Sequence, residues 1–241
     1  MIFRRLRPFR SRPARAAVLA LAGLALPFQP VAAQQCNTDA MVVFDGSGSM
    51  AEMGFNRLDL PRIVEARHAV RMVAPRVAPL RRLGLIVYGP GMGDSCSNID
   101  LRFAPLANAA GRMISEIDGL EPTGETPLTD AVARAAKVLG GAGTVVLVTD
   151  GQETCGGAPC QLAAELAAEG QVTVHVIGFK LRGQHFAFPG GDGEQDYQTG
   201  TTVARCLADR TGGSYVSAET VQDLIGALQE TLGCPLYSAL R

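Results

Sequence analysis

Residues 41–49 read Met41-Val42-Val43-Phe44-Asp45-Gly46-Ser47-Gly48-Ser49: an apolar run, a carboxylate, then a loop of glycine and serine. The apolar run is the pattern of a buried strand, and the Gly-Ser stretch that of a tight loop. The same order recurs at Thr144–Thr149 (TVVLVT), the most strand-like run in the chain, which ends at Asp150-Gly151. Leu83–Tyr88 and Val172–Phe179 are two further buried runs, and Ile99–Phe103 and Ser214–Val216 two shorter ones.

Helical patterns lie between these runs. The first opens at Asp59-Leu60-Pro61, carries Ile63, Val64, Val70, Val73 and Val77 at helical spacing, and is expected to end at Pro75 and Pro79. Others are expected over 108–118, from Thr126-Pro127 to Gly140-Gly141, over Pro159–Glu169, over Thr201–Arg210 and over Val221–Leu232. Strands alternating with helices specify an α/β domain: a doubly wound, mostly parallel sheet with helices on both faces. Residues 183–200 form the one long irregular segment, which at that length is functional or mobile.

The chain has 241 residues, 47% of them apolar and 19% charged, enough for a sizeable core in one domain. Its net charge of −1 conceals an asymmetry. Six of the 22 basic residues lie before residue 34, leaving 16 against 23 acidic residues, a net charge of −7 for the rest. So acidic a body lacks the basic face of a general nucleic-acid binder. Tryptophan is absent and aromatics make up 5%, which leaves little for a stacking platform.

The basic residues 1–15, the apolar run 16–28 and the small residues Val31-Ala32-Ala33 have the three parts of a secretory signal. The apolar run is too short to span a bilayer comfortably. Cleavage is expected after Ala33, giving a mature domain of residues 34–241 that is periplasmic or secreted and has no membrane span. The Arg4-Arg5 pair departs from a twin-arginine signal at Arg7-Pro8, and Gln35 stands before Cys36 where a lipoprotein needs a small residue.

In an open α/β sheet, ligand sites gather at the carboxyl ends of the strands. That edge receives Asp45, Ser47 and Ser49 after the first strand and Asp150 after the TVVLVT strand, and Thr126 begins a helix. Hard oxygen donors of this kind suit Mg²⁺ or a similar cation, Mn²⁺ or Ca²⁺. Asp45-Gly46-Ser47-Gly48-Ser49-Met50, Thr126 within Gly124-Glu125-Thr126-Pro127-Leu128, and Asp150-Gly151 resemble the metal-ion-dependent adhesion site of von Willebrand factor type A domains. The order of elements across about residues 38–233 resembles that family as well. The resemblance implies the strand order 3-2-1-4-5-6 with one antiparallel edge strand. It also implies that Ser47, Ser49 and Thr126 ligate the metal, directly or through water, while Asp45 and Asp150 act largely through bridging water. Neutral hydroxyls near a divalent ion leave its charge poorly cancelled, so the ion remains open to an Asp or Glu carboxylate from a protein partner.

Plainer readings exist for each part. Asp, Gly and Ser favour turns, and Thr before Pro is an ordinary helix N-cap. A Mg²⁺-dependent hydrolase or phosphotransferase is the alternative from another class, and a structural envelope module is a third reading. Catalysis is disfavoured because Ser47 takes the place of a second Asp, neither serine fits a nucleophile elbow, and Lys137 and Lys180 are the only lysines. His68 falls in a helix, His175 in a strand and His185 in the irregular segment. The expectation is a binding domain and not an enzyme.

Six cysteines in an exported chain point to disulfides, and their spacing does not fit a zinc site. Cys36 precedes the first strand and Cys234 follows the last helix, so the two are expected to pair at the edge opposite the metal. For the other four, the strand order implied by the resemblance separates Cys96 from Cys206 across the sheet. Cys96–Cys155 with Cys160–Cys206 is therefore preferred over a local Cys155–Cys160 bridge. Segment 183–200 looks like an insertion at the metal edge. It is expected either to help select the partner or to be a solvated loop, and Asp192, Glu194 and Asp196 are candidates to fill the metal's open position when no partner is bound.

Overall fold

A computed structural model describes residues 36, 38–53, 60–180 and 204–234. Its strands are β1 (Ala40–Asp45), β2 (Leu83–Tyr88), β3 (Ile99–Leu106), β4 (Gly143–Thr149), β5 (Val172–Phe179) and β6 (Tyr215–Ala218). Its helices are α1 (Arg62–Val77), α2 (Ala110–Asp118), α3 (Leu128–Val138), α4 (Pro159–Glu169), α5 (residues 204–211) and α6 (Val221–Leu232). The strands form one six-stranded sheet in the order β3-β2-β1-β4-β5-β6. All pairings are parallel except that of β3 with β2. The fold class, strand order and antiparallel edge are those expected.

Alternation along β1 shows why the fold is doubly wound. Ala40, Val42 and Phe44 face a core built with α1, α2 and α6. Met41 and Val43 face a second core built with α3, α4 and α5. Every residue of β1, β2 and β4 is buried, as a strand covered on both faces requires. At about 25 cal/mol per Å² of apolar surface, these two cores are the main source of stability.

Several boundaries differ from the sequence reading. Pro75 lies inside α1, which runs on to Val77, because a proline near the C-terminus removes only one late hydrogen bond. β3 extends to Leu106 and includes Pro105, which an edge strand tolerates. α3 begins at Leu128 with Pro127 as its N-cap residue, and no side chain caps it. β6 spans Tyr215–Ala218, one residue beyond the expected start and two beyond the expected end. The expected starts of two helices, at Asp59 and Thr201, and all of segment 183–200 lie outside the described residues. So does the proposed signal, residues 1–33.

The three disulfides are Cys36–Cys234, Cys96–Cys155 and Cys160–Cys206, with Cα–Cα distances of 5.2, 5.5 and 5.3 Å. This is the expected pairing. The first joins the segment before β1 to the end of α6, where Arg81 reinforces it. The Arg81 guanidinium donates to the Thr38 carbonyl (2.9 Å), to the Thr38 and Thr144 hydroxyls and to the Leu232 carbonyl.

His175 lies in β5, and its Nδ1 accepts a hydrogen bond from the Ser214 N–H at 3.0 Å. Burial first, then the positive charge of Arg81, lowers its pKa below the ordinary value of 6.5. A depressed histidine pKa contributes stability that is present above about pH 6.5 and is lost as pH falls through the folded-state value. The urea midpoint of the protein should therefore fall more between pH 7.5 and pH 5 than that of a His175→Gln variant. Parallel curves for the two proteins would contradict this assignment.

Candidate metal centre

β1 and β4 are neighbours, paired in parallel with Phe44 opposite Val148, so their carboxyl ends deliver Asp45 and Asp150 to one place. Both side chains are buried, at 0% and 2% exposure. Asp45 is held by four donors. Its Oδ1 accepts from the Ser47 N–H (2.9 Å) and the Ser47 hydroxyl (2.5 Å). Its Oδ2 accepts from the Thr149 hydroxyl (2.7 Å) and the Asp150 N–H (3.3 Å).

The serine hydroxyls continue the network. Ser49 Oγ donates to Asp150 Oδ1 at 2.6 Å, and Ser47 Oγ lies 3.1 Å from Ser49 Oγ. Two hydroxyl protons thus serve three short oxygen–oxygen contacts. With both directed at carboxylates, as the two shorter distances indicate, the Ser47–Ser49 contact carries no proton and the oxygens turn lone pairs toward each other. Asp150 Oδ2 is buried and has no hydrogen-bond partner. Burial first, and then the charge of Asp45, pushes the Asp150 carboxyl up from 3.8 to about 7, against the opposing pull of Ser49 and Arg62. The site is short of positive charge.

Thr126 completes the group. It is 4% exposed, and its N–H donates to Thr154 Oγ1 at 2.8 Å. It stands one residue before Pro127, the N-cap residue of α3. The start of α3 is satisfied by Glu153, whose Oε2 accepts from the Thr129 N–H (2.8 Å) and hydroxyl (2.6 Å). A carboxylate there also suits the positive end of the helix. Between the hydroxyls lies Gly151: a Cβ built on it would stand 3.8 Å from Ser49 Oγ and 3.9 Å from Thr126 Oγ1. The Ser49 and Thr126 hydroxyls thus approach one point beside Gly151, and the Ser47 hydroxyl adjoins that of Ser49 next to the two buried carboxylates. An orphaned carboxylate oxygen, lone pairs turned inward and all-oxygen donors fit a hard divalent cation. Among the described residues no three His, Cys, Asp or Glu side chains come together as a metal cluster, so a cation here would depend on the hydroxyls.

The structure brings all five expected residues together and adds two. Thr149 was read only as the end of a strand, yet its hydroxyl braces Asp45. Arg62 was passed over altogether. It is 2% exposed, its Nη1 donates to the Ser49 carbonyl at 3.0 Å, and it lies 3.4 Å from Asp150 Oδ2. One sequence signal could have found it. A basic residue in the first turn of a helix opposes the helix dipole and calls for a local reason.

The edge is closely packed and fastened. Cys96–Cys155 ties the loop after β2 to the loop after Asp150, and Cys160–Cys206 ties α4 to α5. Tyr88, opposite Asp45 on β2, has its hydroxyl pushed well above 10, first by burial and then by Asp45.

Residues 40–153 match the family model of the von Willebrand factor type A domain. Uncharacterized protein YwmD of Bacillus subtilis (strain 168) is 29% identical over 207 residues, covering 80% of this chain and 84% of that protein. The solved von Willebrand factor type A structure from Catenulispora acidiphila superposes with a TM-score of 0.56 at 16% identity, covering 83% of this chain and 42% of that one. The pilus adhesin SpaC from Lactobacillus rhamnosus GG superposes with a TM-score of 0.58 at 15% identity, covering 83% of this chain and 31% of that one. The fold is that of the solved von Willebrand factor type A domain, with the same six-stranded mixed sheet between helices.

Gly124 shows how tightly the site is built. It has φ of +81°, and a Cβ on it would lie 2.4 Å from the Gly89 carbonyl oxygen. Gly124→Ala should therefore cost about 2–4 kcal/mol. Gly156 has a similar φ of +76° but nothing within 4 Å, so Gly156→Ala should cost only about 1 kcal/mol. Urea unfolding of both variants checks the difference.

Proposed function

We propose that this protein is an exported, metal-dependent protein-binding domain. Residues 1–33 serve as a signal peptide and residues 34–241 are the mature single domain, working in the periplasm or outside the cell. Three disulfides fit an oxidising compartment, and no helix among the described residues is long and apolar enough to cross a membrane.

Ser47, Ser49 and Thr126 hold Mg²⁺, or Mn²⁺ or Ca²⁺ in its place, directly or through water, and Asp45 and Asp150 orient that shell. The bound ion supplies an electrophilic point that takes an Asp or Glu carboxylate from a protein partner. The domain works by binding and not by catalysis. The observation that carries this reading is the deficit of positive charge around Asp150. Its Oδ2 is buried without a hydrogen bond, beside serine oxygens whose protons are already committed.

Mg²⁺ should raise the melting temperature of the wild-type protein and EDTA should reverse the rise. Ser49→Ala and Asp150→Ala should each remove most of that shift with the disulfides still formed. Each should also weaken capture of a partner from envelope extract by about tenfold to a hundredfold, the equivalent of about 1.5–3 kcal/mol. A captured partner whose binding ignores chelator and both substitutions would overturn the reading.

A further inference from the structure

We infer that Arg62 makes the metal-loaded site cationic, and so sets its affinity for a partner carboxylate at the expense of its affinity for metal. The inference rests on the metal-dependent reading above and assigns a role within it to a residue outside the five oxygen donors.

Arg62 opens α1, and its guanidinium is turned inward to 2% exposure. An interior position for the most strongly hydrated end of a long side chain is costly unless it is compensated. The compensation comes from the site itself. Nη1 donates to the backbone carbonyl of Ser49 at 3.0 Å and lies 3.4 Å from Asp150 Oδ2. A third neighbour, Glu52 Oε2, stands 3.7 Å away on a side chain that is half exposed and so screened by water. The guanidinium thus fixes two features at once. It holds the loop that carries the Ser49 hydroxyl, and it faces the Asp150 oxygen that the Ser49 hydroxyl leaves free.

Charge counting gives the consequence. With both carboxylates ionised, Asp45, Asp150 and Arg62 sum to −1. A divalent ion brings the sum to +1. Without Arg62 the same loaded site would be neutral. Among side chains as buried as Asp45, Asp150 and Arg62, a unit charge acts more strongly than it does in water. Arg62 therefore opposes the incoming metal and favours the incoming carboxylate.

The two effects have opposite signs, which separates this role from a structural one. The test uses the full disulfide-bonded protein, with Mn²⁺ as the metal probe and acetate as the carboxylate probe. Electron paramagnetic resonance of free Mn²⁺ gives metal affinity. The loss of water-proton relaxation as acetate displaces water from protein-bound Mn²⁺ gives acetate affinity. Arg62→Gln, which retains a donor for the Ser49 carbonyl, should bind Mn²⁺ about tenfold more tightly and acetate about tenfold more weakly. Arg62→Lys should stay near wild type in both. Glu52→Gln, a change on the half-exposed side chain, should move both about twofold in the opposite sense. If Arg62→Gln loses both affinities together and Glu52→Gln changes neither, Arg62 is only a brace for the loop and the inference is wrong. If Arg62→Gln fails to fold, the signs shown by Glu52→Gln decide. If the wild-type protein binds no Mn²⁺, the metal-dependent reading falls and the inference with it, a result distinct from either failure of Arg62.

Discussion

Two carboxylates buried at the ends of adjacent strands are the constraint around which this edge of the sheet is arranged. Parallel pairing of β1 with β4 places Asp45 and Asp150 together. Burial makes their shared charge costly, and the raised pKa of Asp150 expresses that cost. The surrounding structure responds by directing donors at Asp45 until its lone pairs are filled: two from Ser47, one from Thr149 and one from the backbone of Asp150. Asp150 receives less. One oxygen has Ser49 and the other has only the off-axis approach of Arg62. This inequality between the two carboxylates is the feature on which the proposed metal site rests.

Covalent bonds fasten the elements around these carboxylates. Cys155 and Cys160 lie on one stretch of chain following Asp150, and they tie outward in opposite directions. Cys155 joins Cys96 on the β2–β3 side, and Cys160 joins Cys206 in α5. The stretch between them becomes a strap across the carboxyl edge of the sheet. Glu153 and Thr154, just before it, anchor the start of α3 and the Thr126 backbone. The loops that carry Asp150 and Thr126 are therefore fixed to each other as well as to the sheet, so a local pairing of Cys155 with Cys160 would have served the site less well.

Most of this was legible in the sequence. The runs MVVF, TVVLVT and VTVHVIGF admit little but buried parallel strands, and the residues that end them had to share an edge. The five candidate residues and the disulfide pairing were read from that logic together with a family resemblance, and the structure bears out the pairing. What escaped was of two kinds. Boundaries such as Pro75 and the first residue of α3 depend on packing that overrides local chemistry. Thr149 and Arg62 escaped because their roles lie in the direction of a side chain, which no periodicity encodes. Thr149 looks like any strand threonine until its hydroxyl is seen to reach Asp45. Arg62 looks like a solvated helix residue until it is seen to turn inward.

Arg62 also reconciles the site with the body that carries it. Residues beyond the N-terminal segment hold 16 basic against 23 acidic side chains, so an acidic partner meets net repulsion at long range. At physiological salt that repulsion is screened beyond about 8 Å, and short-range charge decides the outcome. Within that range the site offers a buried guanidinium and, in the proposed function, a divalent ion, against two carboxylates. Local charge can then reverse the sign of the global field over a patch a few ångströms wide. In the proposed function a carboxylate placed on that patch would be attracted and one placed beside it would not. In the proposed function, discrimination then rests on short-range charge: the coordinated contact holds a correctly placed carboxylate, and nearby acidic side chains oppose a misplaced one.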